Sequence, residues 1–100
     1  GIVENMSTHI CSNCGHEEHI FGAGGASNMC ADYNVDLLGS LPLDISIREQ
    51  TDNGNPSVIH APDSKIANIY KEIARKAAIK IANASLDHSR KFPNIVIQNT

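Results

Sequence analysis

Short apolar runs alternate with segments of helical periodicity along this 100-residue chain, and that alternation restricts it to an α/β fold. Ile2-Val3 reads as the end of a buried strand, and Val35 to Leu41 as a second strand stopped at Pro42. Between them, Ala26, Met29, Cys30 and Tyr33 stand on one face of a helix over Ala26 to Tyr33. Asp44 or Ser46 can cap a further helix; Ser46 to Glu49 fits a capping box and Gly54 fits its stop. Val58-Ile59 reads as a short strand or extended segment. Pro62-Asp63-Ser64 then opens the longest helix, Lys65 to Leu86, where Ile66, Ile69, Tyr70, Ile73, Ala77 and Ile81 step by three and four. Glu72 and Lys76 form an i,i+4 pair on it, and Lys76 and Lys80 suit the negative end of its dipole. The tail, 87–100, carries Ile95-Val96-Ile97 as a candidate short strand. Strands separated by helices predict layers, with mostly parallel pairing and helices packed on the sheet.

Composition narrows the function. The apolar fraction of 41% allows a core, but aromatics are only 4% and Trp is absent, so Ile, Leu, Val and Ala must build it. A net charge of −3 argues against an electrostatic nucleic-acid binder. No apolar run approaches the roughly 20 residues that span a bilayer, and no basic n-region of a signal peptide is visible. The chain opens on Gly1 inside a strand, without an initiator Met, which reads as a fragment.

Cys11-Ser12-Asn13-Cys14-Gly15 carries the chemistry. Two thiols at this spacing form a tight knuckle with both sulfurs facing one point; Gly15 can take a positive φ, letting backbone N–H groups turn toward sulfur. A redox dithiol needs neighbouring cations or a helix N-terminus to lower a thiol pKa. The neighbours are instead Glu4, Glu17 and Glu18, with no Lys or Arg before Arg48, which disfavours that reading. Zinc is a second reading, with His16 and His19 completing a Cys₂His₂ set, although His16 follows Cys14 too closely for the usual arrangement. Half of an iron–sulfur site is the third: it needs two more thiolates, and a second copy of the chain supplies them most simply, about a two-fold axis. Cys30, on an apolar helix face, reads as a small buried hydrophobe and not as a ligand. An odd count of three cysteines, unlike a secreted disulfide framework, reads as a reducing, cytoplasmic setting. Gly22-Ala23-Gly24-Gly25 lacks the Lys-Ser/Thr ending of a phosphate loop and reads as a turn into the next helix. His9, His16 and His19 read as solvated loop residues, and the basic residues after Lys65 as a solvated helix face.

Taken in order, Gly1-Ile2-Val3-Glu4-Asn5-Met6-Ser7, Cys11-x-x-Cys14-Gly15, Ile20-Phe21-Gly22-x-Gly24-Gly25-Ala26, Leu38-Gly39-x-Leu41-Pro42-Leu43-Asp44, Ile47-Arg48-Glu49 and Asp52-x-Gly54-x-Pro56 resemble the C-terminal part of the Mrp/ApbC family. Those are P-loop ATPases that carry iron–sulfur clusters and are related to the MinD-like ATPases. The resemblance implies that 1–86 is the C-terminal portion of such an ATPase domain, with the cysteine arm at 7–25 and a tail at 87–100. It implies Cys11 and Cys14 as ligands of a labile [4Fe–4S] cluster bridged between two subunits of a homodimer and delivered to apo iron–sulfur proteins. It implies that Asn5, just after the first strand, reads a nucleotide base, with the Pro42 loop against the adenine. A turn residue bonding its own backbone is the alternative for Asn5. The Gly-rich P-loop, its Lys and the magnesium ligands are not among these residues, so ATP and Mg belong to the full-length protein and this chain alone is expected not to hydrolyse ATP. The competing expectation, from another class, is a zinc-knuckle interaction module at Cys11, Cys14, His16 and His19.

Overall fold

The computed structural model describes residues 1–91, with side chains as far as Leu86. In chain order the elements are β1 (Ile2–Glu4), β2 (His9–Ile10), β3 (Glu17–Glu18), α1 (Gly25–Tyr33), β4 (Leu37–Ser40), α2 (Ile45–Asp52), α3 (Ser57–His60) and α4 (Lys65–Lys91). β1 and β4 pair in parallel, Ile2 with Leu37, Val3 with Gly39 and Glu4 with Ser40, with a register shift between Ile2 and Val3. Hydrogen bonds continue past the strand ends, from Leu41 N–H to Glu4 O at 2.8 Å, Ser7 N–H to Leu41 O at 2.8 Å and Leu43 N–H to Thr8 O at 2.6 Å. β2 and β3 form a separate antiparallel hairpin, a small mixed feature beside the parallel pair.

α1 packs on β1 and β4, α4 on β4, and α3 joins α4 to α2. Among the described residues the buried apolar side chains are Leu41, just beyond β4, and Ala67, in the first turn of α4. At Gly39 the side chain of Ile73 on α4 comes close against the sheet: a Cβ there would stand 2.6 Å from Ile73 Cγ1. Only a residue without a side chain allows that approach. Ser57, the buried polar residue, donates its hydroxyl to Gln50 Oε1 at 3.0 Å and so ties α3 to α2.

Helix ends follow local chemistry. Asp44 caps α2 by accepting from Ser46 N–H at 2.8 Å and from the Ser46 hydroxyl at 2.6 Å. The expected Ser46–Glu49 capping box is therefore displaced: Asp44 takes the cap and Ser46 lies inside the helix. Gly54, at φ 72°, ends α2 in a Schellman arrangement, Gly54 N–H to Thr51 O at 3.0 Å and Asn55 N–H to Gln50 O at 2.9 Å. Ser64 opens α4 by accepting from Ala67 N–H at 3.1 Å.

Several expectations are corrected. Val58-Ile59 is not extended: it lies in α3, whose turn closes through Ile59 N–H and Ala61 N–H on Pro56 O and Ser57 O, both at 2.9 Å. Pro56 starts the turn and the buried Ser57 fixes it, overriding the β preference of the branched residues. His9 is not a loop residue: it lies in β2, paired with Glu18 in the β2–β3 hairpin within 7–25. α4 runs to Lys91, beyond Leu86. On it Glu72 pairs with Arg75 and not Lys76, while Lys80 reaches Asp36 beside β4. The expected apolar face of α1 is divided, with Ala26 and Cys30 half-buried and Met29 and Tyr33 in solvent. The candidate strand at 95–97 lies outside the described residues. Among the described residues no helix is long and apolar enough to cross a membrane.

The Gly39–Ile73 approach yields a stability prediction. Gly39→Ala should cost about 1–3 kcal/mol through overpacking, read as a lower urea midpoint with unchanged slope. An unchanged midpoint would show that α4 can shift away from β4 without cost.

Candidate metal centre

The chain leaves β1 at Glu4 and turns sharply at Met6, whose φ is 54°. Asn5 stabilises that turn by accepting Met6 N–H on its Oδ1 at 2.9 Å. Ser7 and Thr8 then run beside Leu41 and Leu43, rooting an arm on the segment that follows β4. The arm rises into the hairpin, where His9 faces Glu18 and Ile10 faces Glu17.

The loop at its tip holds the cysteines. Cys11 N–H donates to His16 O at 2.9 Å, closing the hairpin, and Gly15 N–H folds back to Cys11 O at 2.8 Å. Gly15 has φ 73°, a conformation that costs other residues strain. Both thiols are free; Cys11 is half-buried and Cys14 exposed. The Cys14 backbone N–H, then that of Asn13, donate to the Cys11 sulfur, and the Cys14 side chain adds a further contact. Together they hold the Cys11 thiol below its ordinary pKa, against the opposing pull of burial and of Glu18. A thiolate is the form that can ligate a soft metal, and these donors favour that form of Cys11.

The other sequence candidates are dispersed. His16 Nε2 lies 3.2 Å from Glu18 Oε1, both side chains in solvent. His19 faces Glu4 at the foot of the arm. Cys30 is half-buried on α1. Among the described residues no three His, Cys, Asp or Glu side chains converge as a metal shell, so Cys11, Cys14, His16 and His19 are not assembled into one. Asn5 and Pro42 stand on neighbouring segments linked by the Leu41 hydrogen bonds to Glu4 and Ser7. Pro42 borders a cavity of about 460 Å³ with Ser7, Ile10, Asp44 and Ile66, and Asn5 is not in its wall.

Sequence reasoning missed Glu4. Its carboxylate accepts from the Ser7 hydroxyl and, at 3.3 Å, from Ala26 N–H in the first turn of α1. The Ser7 bond, then Ala26 N–H, the His19 charge and the Ser40 hydroxyl, hold the Glu4 carboxyl below its usual range despite partial burial. No local pattern reveals a contact between residues this far apart; the one sequence signal was an acid at a strand end before an Asn turn.

Selective alkylation tests the electrostatics of the knuckle. In the metal-free chain the pH midpoint for iodoacetamide modification of Cys11, followed by peptide mass spectrometry, should lie below that of the same thiol in the urea-denatured chain. Gly15→Val should raise that midpoint by disturbing the turn that aims the N–H groups. A wild-type midpoint at or above the denatured value would contradict the described donors.

Known proteins share this arrangement of sequence. The family model for NUBPL iron-transfer P-loop NTPases, of the ParA group, matches residues 1–78. The iron-sulfur cluster carrier protein of Pseudomonas fragi is 58% identical over 74 residues, 74% of this chain and 26% of that protein. Its counterpart in Escherichia coli K12 is 53% identical over 81 residues, 81% of this chain and 22% of that protein. The iron-sulfur cluster transfer protein NUBPL of Dictyostelium discoideum is 38% identical over 99 residues, 97% of this chain and 31% of that protein. The chain thus spans 22% to 31% of the length of these curated relatives. A family match over most of its residues leaves one assignment: the chain belongs to the iron-transfer P-loop NTPase family.

Proposed function

We propose that this chain is the C-terminal, cluster-holding portion of an iron–sulfur cluster carrier, with Cys11 and Cys14 from each of two chains holding one [4Fe–4S] cluster as cargo. The knuckle geometry carries this reading: one thiol is primed by backbone N–H groups and its neighbour is exposed at the tip of a protruding hairpin. Two thiolates fill half of a four-thiolate shell, and a two-fold partner supplies the same half again. The names of the relatives support the cargo, since they are carriers and transfer proteins of iron–sulfur clusters.

Release follows from the same geometry. Incoming thiolates of an apo-protein displace Cys11 and Cys14 by ligand exchange, with no net electron transfer. An exposed Cys14 is the ligand they reach first. Thiolates persist in a reducing compartment, so the proposed setting is the cytoplasm. Within the longer protein, β1 and β4 become neighbouring strands of a larger, layered, mostly parallel P-loop NTPase sheet. There Asn5 and the Pro42 segment contact the adenine of ATP, and the phosphates and Mg are bound by residues outside this chain.

Anaerobic reconstitution tests the reading. The holo form should show a broad visible charge-transfer band, about two irons per chain, and the mass of a dimer. Cys11→Ala or Cys14→Ala should remove the band and the dimer, and His16→Ala should leave both. A colourless zinc complex lost on His16→Ala would replace the proposal with a zinc knuckle, and a monomer holding a full cluster would overturn the bridge.

The cluster should also stabilise the dimer, because it binds two joined chains and not separated ones. Removing iron with a chelator should therefore return holo dimer to monomer on size-exclusion chromatography. A dimer that persists after complete iron loss would show that other contacts hold the chains together.

A further inference from the structure

The arm that carries Cys11 and Cys14 leaves the body at Ser7 and rejoins it at Gly25, where α1 begins. Its two ends meet on one side chain. Glu4 Oε1 accepts the Ser7 hydroxyl at the entry, and Glu4 Oε2 accepts Ala26 N–H at the exit, 3.3 Å away. The exit has little else of its own. The N-cap of α1 is Gly24, which offers no side-chain cap, and no acid stands in the first turn of the helix. Gly22 N–H turns back onto His19 O, within the arm. Glu4 therefore does from β1 what an N-cap residue normally does locally, placing negative charge on the free N–H groups of a helix start. His19, near the foot of the exit limb, and the Ser40 hydroxyl on β4 also face this carboxylate.

A carboxylate that accepts at both ends of a loop fixes the angle between them. The entry limb is already tied to the segment after β4 by backbone bonds between Ser7 and Leu41 and between Thr8 and Leu43. Fixing the exit limb to the same point leaves the hairpin one direction in which to project. We propose that Glu4 is a positioning residue for the metal centre: it staples the two ends of the cysteine arm and so sets where the thiols of one chain meet those of its partner. This inference rests on the two-chain cluster proposed above. Glu4 touches neither the cluster nor its ligands; it acts through Ser7 and Ala26.

The chemistry of the pair selects the variants. Glu4→Gln keeps the length of the side chain: its amide oxygen can accept Ala26 N–H while its NH₂ donates to the Ser7 hydroxyl, which has lone pairs to receive it. Glu4→Asp keeps the charge but is one methylene short of spanning both partners. Glu4→Ala removes both bonds, and Ser7→Ala removes the entry bond alone. A staple is thus preserved by Gln and lost in Asp and Ala, whereas a requirement for negative charge alone would give the opposite order for Gln and Asp.

Two readouts test this on the full chain, one without metal and one with it. In the apo chain, amide exchange at Ala26 and at residues 19–25 should quicken about tenfold in Glu4→Ala and Glu4→Asp and stay within about twofold of wild type in Glu4→Gln. In the reconstituted dimer, the rate of cluster loss to a chelator should rise about tenfold in the same two variants and be restored by Gln. If Glu4→Ala fails to fold, Ser7→Ala carries the comparison and should show a smaller change of the same sign in both readouts. Unchanged apo exchange overturns the staple, whatever the cluster does. Faster exchange with unaltered cluster retention overturns the positioning role and leaves the carrier reading intact. A wild-type chain that takes up no cluster overturns the carrier reading and the positioning role together, with the exchange data then marking Glu4 as a helix cap alone.

Discussion

Parallel pairing of β1 with β4 is the constraint from which the rest of the architecture follows. Two parallel neighbours cannot be joined by a tight turn, so the chain between them must travel back to the end from which it started. Here α1 makes the return, and everything inserted before it gathers at the carboxyl end of β1. Open α/β sheets place ligands beyond the carboxyl ends of their strands for this reason. The cysteine arm, the Asn5 turn and the Pro42 segment all stand at that end because the crossover leaves them nowhere else. The Leu41 hydrogen bonds to Glu4 and Ser7 then link the two strand exits into one platform.

On that platform the thiol chemistry of Cys11 is governed mainly by the backbone. The backbone of Asn13 and Cys14 stabilises charge on the Cys11 sulfur, and Gly15 makes the turn that allows it. Charged side chains nearby do not assist: Glu18 works against the thiolate, and no Lys or Arg stands before Arg48 in the sequence. Backbone N–H donors act over hydrogen-bond distance and do not depend on ionic strength as a lysine would. A knuckle of this kind can hold a thiolate on an acidic chain.

Much of the framework was legible because its signals are local. The three-and-four spacing of Ile66, Ile69 and Ile73, the cap at Asp44 and the stop at Gly54 each act within a turn or two of helix, and all appear where the pattern placed them. The two-residue strands β2 and β3 were not legible, since His9-Ile10 and Glu17-Glu18 bury no apolar face whose alternation could be read. Val58-Ile59 misled because branched residues favour strands until a proline and a buried serine enforce a turn. The division of α1 into covered and uncovered residues depends on what packs against it, which periodicity alone does not specify. At the candidate site, the type and spacing of Cys11 and Cys14 were readable, whereas the Glu4 contact to Ala26 is a product of the crossover and exists only once β1 and α1 are side by side.

The brevity of the β2–β3 hairpin has a consequence for how the molecule comes apart. Residues 12–20 are exposed throughout, and the hairpin pairs only two residues on each side. The free energy needed to open such a unit is set by its own few bonds, far below that of separating β1 from β4 or lifting α4 from Gly39. The knuckle can therefore open as a local unit, without the sheet. The tip can open while the sheet beneath it stays native, so that uncovering the two thiols and keeping the fold are separate thermodynamic events in this chain.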